Sequence, residues 1–311
     1  SRPGVRHGKR RKDDGGERVY MGCRGRENRI PHPIPPSRKL NMAKKPDINA
    51  EISKACRLLT APLRTRPSFL MPGAPKCGSS SLFDALLLHP RVRRGPFKEP
   101  ASMIRYPGSE LRLRMNFPFV RPFSPWVCGD ASMEYWFHPD LPARAAEMMP
   151  DTRLIFIFRE PVARAWSEYR MFRKSGDDHA DFTGTVTNAI RWLSDPSGKE
   201  LCQSALRQSN NPLRYVGCGM YADLLQDWWR HFPRDQSLVL FLEELTESPQ
   251  EHLAKIWRHL GLEPVAMKKM PHARDGGVKE APPAEAERML AEFYKPLNAD
   301  LAGLLGRNLP W

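Results

Sequence analysis

The sequence predicts an α/β domain with a central parallel β-sheet flanked by helices on both faces. Three observations carry this. Leu154–Phe158 is a continuous apolar run, as expected of a strand buried on both faces of a parallel sheet. A second apolar run, Phe69-Leu70-Met71, leads into a glycine-containing loop and then a stretch with helical apolar spacing. Further along, strand-like and helix-like segments alternate, the pattern of a sheet covered on two sides.

In chain order the reading begins with residues 1–60. They carry 16 Lys/Arg against 6 Asp/Glu, and Pro31, Pro33, Pro35 and Pro36 interrupt them. Apolar periodicity is scarce before Ile48, so this segment reads as a basic, largely disordered N-terminal arm. Such an arm suits loose attraction to a polyanion or service as a solubilising tail. The domain proper then spans 61–311. A strand is expected at 68–71, a helix at 79–88 and a loop at 95–104. A strand-like Trp126-Val127-Cys128 comes next, and then a helix near 140–148. The strand 154–158 is followed by helices at 162–174, 184–193 and 219–231, a strand at 237–242 and a helix at 249–260. A helix from Ala284 to about Leu305 closes the chain, with Met289, Leu290, Phe293, Leu297, Leu301 and Leu304 as its apolar stripe.

The whole chain of 311 residues carries a net charge of +14, and 41% of it is hydrophobic, ample for one large core. Residues 61–311 hold 33 basic and 29 acidic side chains, so most of the excess lies in the arm. No apolar stretch reaches membrane-spanning length, and the start has no signal-peptide core. The six cysteines show no C-x-x-C and no clustering with histidine, so no metal site is expected.

Gly73 and Gly78 have the spacing of a nucleotide triphosphatase phosphate loop, but Ser79 stands where that motif requires lysine. The lysine sits inside the loop, at Lys76. Strand, tight loop and helix start supply backbone N–H groups and a positive dipole end that suit a phosphate. A Mg²⁺–triphosphate is the poorer match. At the other apolar run, Arg159 stands at the strand's C-terminal end, Pro161 suits the first helical position, and Ser167 lies two turns on. A guanidinium and a hydroxyl so placed can converge on one phosphate.

Pro75-Lys76-Cys77-Gly78-Ser79-Ser80-Ser81-Leu82 resembles the 5′-phosphosulfate loop of sulfotransferases that use 3′-phosphoadenosine 5′-phosphosulfate (PAPS). Arg159, Pro161, Arg164, Ser167 and Tyr169 resemble the same family's 3′-phosphate segment. Phe97-Lys98-Glu99-Pro100 is similar to the Lys-Glu-Pro segment of its glycan-sulfating members, although Ala101-Ser102-Met103 departs from the usual continuation. Gly129-Asp130-Ala131-Ser132-Met133-Glu134-Tyr135 resembles a segment near the acceptor site, with Met133 in place of proline. Gly219-Met220-Tyr221, Trp228, Phe232 and Gln236 follow a further family pattern. Phe293–Ala302 resembles a C-terminal helix of the subgroup containing N-acetylgalactosamine 4-sulfate 6-O-sulfotransferase. The resemblance covers about residues 66–311.

The resemblance implies a single P-loop-like sulfotransferase domain with PAPS as donor. It implies a glycan hydroxyl as acceptor, specifically the 6-O position of a sulfated galactosaminoglycan. Donor contacts would come from Lys76, Cys77, Gly78, Ser79, Ser80, Ser81, Arg159 and Ser167. Arg274 and Lys279, in the basic glycine-containing stretch before the last helix, are candidates to close over the donor. Lys76, Glu99 and Lys98 would be catalytic, with Glu99 as general base. A Golgi-lumenal location and a Cys202–Cys218 disulfide also follow from the resemblance, with a cytoplasmic location and free thiols as the alternatives. Competing functions are sulfation of a small-molecule alcohol, a P-loop kinase, or a non-enzymatic polyanion-binding protein. Neither a metal nor nucleic acid is expected as a partner.

Overall fold

The computed structural model describes residues 48–123, 125–176, 180–195, 213–266 and 280–311. The elements run α1 (Ile48–Leu59), β1 (Phe69–Gly73), α2 (Ser79–Leu86), α3 (Ser102–Arg105), α4 (Glu110–Arg114), β2 (Gly129–Asp130) and α5 (Leu141–Met148). They continue with β3 (Arg153–Phe158), α6 (Pro161–Ser175), α7 (Phe182–Leu193), α8 (Leu213–Gly217), α9 (Tyr221–Trp229) and β4 (Ser237–Phe241). The order ends with α10 (Leu242–Glu247), α11 (Pro249–His259) and α12 (Ala284–Leu305). Short 3₁₀ turns occupy Ala61–Leu63, Met133–Phe137 and Arg234–Gln236.

The four strands form one parallel sheet in the order β2-β1-β3-β4. All of β1, and β3 from Leu154 onward, is buried. Because successive side chains point to opposite faces, such strands must be covered on both sides. β4 lies at an edge, and its first three residues are only partly buried. β1 runs two residues past the expected Met71, through Pro72 to Gly73. Pro72 has no N–H to give a ladder, and the β1–β3 register shifts between Leu70 and Gly73, where it sits.

The expected strand at 126–128 is displaced. Val127 makes only an isolated bridge to Val92, and the strand paired with β1 is Gly129–Asp130. The Phe69 ring packs so closely there that a Cβ at Gly129 would lie 2.2 Å from it. Cys128 sits just outside the paired strand, its carbonyl accepting from the Ser68 N–H at 2.7 Å.

Ile48–Leu59, within the arm expected to lack structure, is a helix with no buried residue. Ala50, Glu51, Lys54 and Leu58 are good helix formers, so propensity accounts for it without core packing. The rest of the arm lies outside the described residues.

One face of the sheet is an aromatic core. Phe156 and Phe158, two residues apart, meet Trp136 at 5.9 and 5.5 Å between ring centroids. Phe158 stacks on Tyr221 at 4.4 Å and 12°, and Phe156 meets Trp228 edge-on at 6.0 Å. Of the expected stripe on α12, Leu290 and Leu301 are buried and Met289, Phe293, Leu297 and Leu304 pack partly buried against the core; Ala286 and Tyr294, outside that stripe, are buried with them.

Arg164 and Glu168 on α6 form a fully buried pair at 2.6 Å, and Glu168 also accepts from Arg214 at 2.7 Å. Arg164 additionally donates to the Tyr215 carbonyl, joining α6 to α8. Removing one partner of such a pair strands a buried charge. Arg164→Met is expected to cost about 3–5 kcal/mol, read as the denaturant midpoint shift. A loss below about 1 kcal/mol would show that Arg214 alone satisfies Glu168.

Candidate active site

In the order β2-β1-β3-β4 the chain leaves β1 toward one edge, and β3 leads toward the other. The crevice beyond the carboxyl ends of β1 and β3 is therefore the topological switch point, where open α/β sheets bind ligands. Both sequence motifs open into it. The loop after β1 is held against β3 by Ala74, whose N–H donates to the Ile157 carbonyl at 3.0 Å.

Lys76 sits at φ 66°, and its Nζ lies 3.5 Å from Met171 Sδ on α6. Met171 is one turn beyond Ser167 on the same helix. Arg159 Nη1 donates to the Lys76 carbonyl at 3.4 Å. The structure thus brings Lys76, Arg159 and the Ser167 helix together. Burial pushes the Lys76 ammonium below its ordinary pKa; nearby Glu168 opposes this, while the Arg159 and Arg164 charges add to it. Neither Lys76 nor Arg159 has an ion-pair partner among the described residues. Two adjacent cations in one crevice suit an anion.

Gly78 caps α2 at φ 86° with no side-chain hydrogen bond, leaving the helix N-terminus open toward the loop. A Cβ there would lie 2.7 Å from Leu242 Cδ1, so only glycine fits both conformation and space. Ser79 is buried, and Ser80 and Ser81 are partly exposed. Cys77 is fully buried and its thiol is pushed up to about 12, chiefly by burial. Its contribution to an anion is confined to the backbone.

Sequence reasoning did not identify what fixes Arg159. Tyr221 donates its hydroxyl to the Arg159 carbonyl at 2.8 Å, and the next N–H, of Glu160, donates to Glu243 Oε1 at 2.9 Å. The Glu160 carboxylate accepts from Val162 and Ala163 at 2.9 and 2.6 Å, so the first turn of α6 is capped by its own chain. A ligand phosphate is therefore left to the Arg159 and Ser167 side chains. Tyr221 was visible in a motif without a role; Glu243, directly after an apolar strand, gave no local signal.

Lys98 joins the two halves of the site. Its Nζ donates to Ser80 Oγ at 2.9 Å and to Glu99 Oε1 at 2.7 Å. Its side chain is 19% exposed and that of Glu99 45%. A carboxylate at the mouth of the crevice, tied through one ammonium to the phosphate loop, is placed for proton transfer beside a bound anion. Arg274, Lys279 and Cys202, and with Cys202 the Cys202–Cys218 pairing, lie outside the described residues.

A parallel-sheet domain with an anion crevice at its switch point and a carboxylate at the mouth defines a group-transfer class. The chain belongs to the sulfotransferase family: residues 66–274 match the sulfotransferase domain. It is 25% identical over 303 residues to carbohydrate sulfotransferase 15 of Homo sapiens, covering 78% of this chain and 54% of that protein. It is 28% identical over 274 residues to heparan sulfate glucosamine 3-O-sulfotransferase 3B1 of Mus musculus, covering 79% and 65%. A solved sulfotransferase of Alicyclobacillus acidocaldarius shares the fold, with a TM-score of 0.60 and 24% identity over 79% of this chain and 98% of that one. The chain spans between about half and two thirds of the length of these first two relatives. They carry different names, so the matches show the sulfotransferase family without selecting a subgroup or an acceptor.

Proposed function

We propose that the crevice binds PAPS and that the chain transfers its sulfuryl group to a hydroxyl of an anionic glycan. The observation that carries this is the pairing of two unneutralised cations, Lys76 and Arg159, at the switch point, with Lys98 linking Ser80 to Glu99. Lys76 and the 77–81 backbone suit the 5′ end of such a donor, and Arg159 with Ser167 suits its 3′-phosphate. When bound, PAPS supplies a sulfuryl group on a phosphate leaving group. Glu99 takes the acceptor hydroxyl's proton, Lys76 faces the oxygen on which charge grows, and Lys98 holds Glu99 beside both.

A charge asymmetry within the domain supports an anionic acceptor. Residues 61–127 hold eleven Lys/Arg against three Asp/Glu, whereas 128–311 hold 22 against 26. Four guanidinium groups in and just before the 61–127 stretch lie over aromatic rings. Arg57 lies over Phe97 at 5.4 Å, Arg64 over Phe119 at 4.1 Å, and Arg93 and Arg121 over Trp126 at 4.5 and 4.6 Å. Placed over a ring, the Arg57, Arg93 and Arg121 guanidinium groups keep donors for sulfates and carboxylates, whereas Arg64 already donates to Thr60 Oγ1 and to the Phe117 carbonyl. The narrower reading, 6-O sulfation of a sulfated galactosaminoglycan, rests on the resemblance of Phe293–Ala302.

Thermal-shift titration with 3′-phosphoadenosine 5′-phosphate tests the donor site. Stabilisation is expected to reach about 2.7 kcal/mol at a hundredfold excess over Kd, with ATP giving much less. No shift, or an equal shift with ATP, overturns the reading. Radiolabelled transfer from PAPS to chondroitin sulfate, heparan sulfate and neutral alcohols tests the acceptor. Charged glycans should be preferred, and the preference should fall as salt rises.

A further inference from the structure

We infer that Asp130 is a positioning residue that sets the catalytic loop, through two hydroxyl groups that each hold one of the loop's backbone amides. This rests on the reading of Glu99 as base.

Asp130 is fully buried at the end of β2. Its carboxylate accepts from the Ser132 backbone at 3.1 Å, from the Ser132 hydroxyl, and from the Tyr135 hydroxyl at 2.6 Å. Both hydroxyls have a second partner in the Glu99 loop. Ala101 N–H donates to Ser132 Oγ at 2.8 Å, and Met103 N–H donates to Tyr135 Oη at 3.3 Å. The Ala131 N–H donates to the Lys98 carbonyl at 3.3 Å, so residues 130–135 grip the loop at 98, 101 and 103.

The direction of donation makes the carboxylate matter. A hydroxyl has one proton, and an ionised carboxylate only accepts. Facing Asp130, the protons of Ser132 and Tyr135 are committed to it, which leaves their oxygens open to the loop amides. An asparagine, or a protonated aspartate, presents a donor at one of those places. The hydroxyl facing that donor must then turn its proton elsewhere, which moves its oxygen's lone pairs and weakens its hold on the loop amide.

Stability alone does not account for this residue. Burial raises the Asp130 carboxyl to about 6, the Ser132 and Tyr135 hydrogen bonds oppose the rise, and the Glu99 charge adds to it. A raised carboxyl pKa means the stability it contributes is full below the ordinary value near 4 and is lost as pH climbs through 6. At neutral pH the charged group is therefore a liability, of the kind retained where activity needs it.

The test compares the full chain with Asp130→Asn, Ser132→Ala and Ser132→Thr. Hydrogen exchange is read on peptides spanning 98–103 and on α2, and transfer from radiolabelled PAPS to chondroitin sulfate and heparan sulfate is read against pH. In Asp130→Asn and Ser132→Ala, exchange at Ala101 and Met103 should quicken while α2 is unchanged. Turnover should fall about tenfold to a hundredfold with KM for PAPS nearly constant, and Ser132→Thr should recover it. As pH falls through about 6, where Asp130 takes up a proton, wild-type turnover should drop, and Asp130→Asn should lack that step. Unchanged loop exchange and turnover in both variants, with Glu99→Gln inactive, overturns the positioning role and leaves the base reading standing. Near-normal turnover of Glu99→Gln removes both. Should Asp130→Asn fail to fold, Ser132→Ala and its threonine rescue decide the matter by the same readouts.

Discussion

Lys76→Met is expected to lower turnover about a hundred- to a thousandfold while leaving the fold at least as stable as wild type. The magnitude is that of removing one charge-stabilising donor from a developing oxyanion. The stability half has a separate origin. Burial and the neighbouring Arg159 and Arg164 charges disfavour the Lys76 ammonium, so its charge opposes folding below its lowered pKa. An apolar side chain of similar length removes that repulsion and keeps the contact with Met171. Arginine should not rescue activity, because a forked, planar group cannot replace a compact ammonium at a residue held at φ 66°. Steady-state transfer from radiolabelled PAPS and a melting curve give both halves. Turnover within about threefold of wild type would remove Lys76 from the reacting centre.

Glu99→Gln carries the second large effect, a loss of about a hundred- to ten-thousandfold in turnover with affinity for 3′-phosphoadenosine 5′-phosphate preserved. Glutamine keeps the shape and an oxygen for Lys98, but it cannot take a proton. The donor contacts proposed for Lys76, Arg159 and Ser167 are untouched. Lys98→Ala should behave differently: its ammonium bonds both Ser80 on α2 and Glu99, so its removal should raise KM for PAPS as well as lower turnover. If Glu99→Gln weakened nucleotide binding as much as turnover, the carboxylate would be a donor-site element instead of a base.

What the sequence disclosed was local. The apolar runs at Phe69 and Leu154, the glycine spacing around Lys76 and the stripe of the last helix are short-range patterns, and each became the expected element. The resemblance brought Lys98 and Glu99 to notice, but not the link from Lys98 to Ser80, eighteen positions earlier. That link depends on a loop folding back over α2. The sheet order, the Tyr221 bond to Arg159 and the grip of Asp130 on the 98–103 loop are non-local in the same way. Strand β2 was misread because Trp126-Val127-Cys128 has stronger strand propensity than Gly129-Asp130, whereas the space beside Phe69 admits only glycine. Helix α1 was hidden by the basic charge and prolines of the segment before it, although Ile48, Ile52 and Leu59 keep a helical apolar spacing.

The amide plane joining Arg159 to Glu160 is clasped from two sides, its oxygen by Tyr221 and its hydrogen by Glu243. Such a unit cannot swivel when a nucleotide arrives, so its ordering entropy was already spent when the chain folded. Any rearrangement that accompanies the arrival of either substrate must be taken up elsewhere around the crevice.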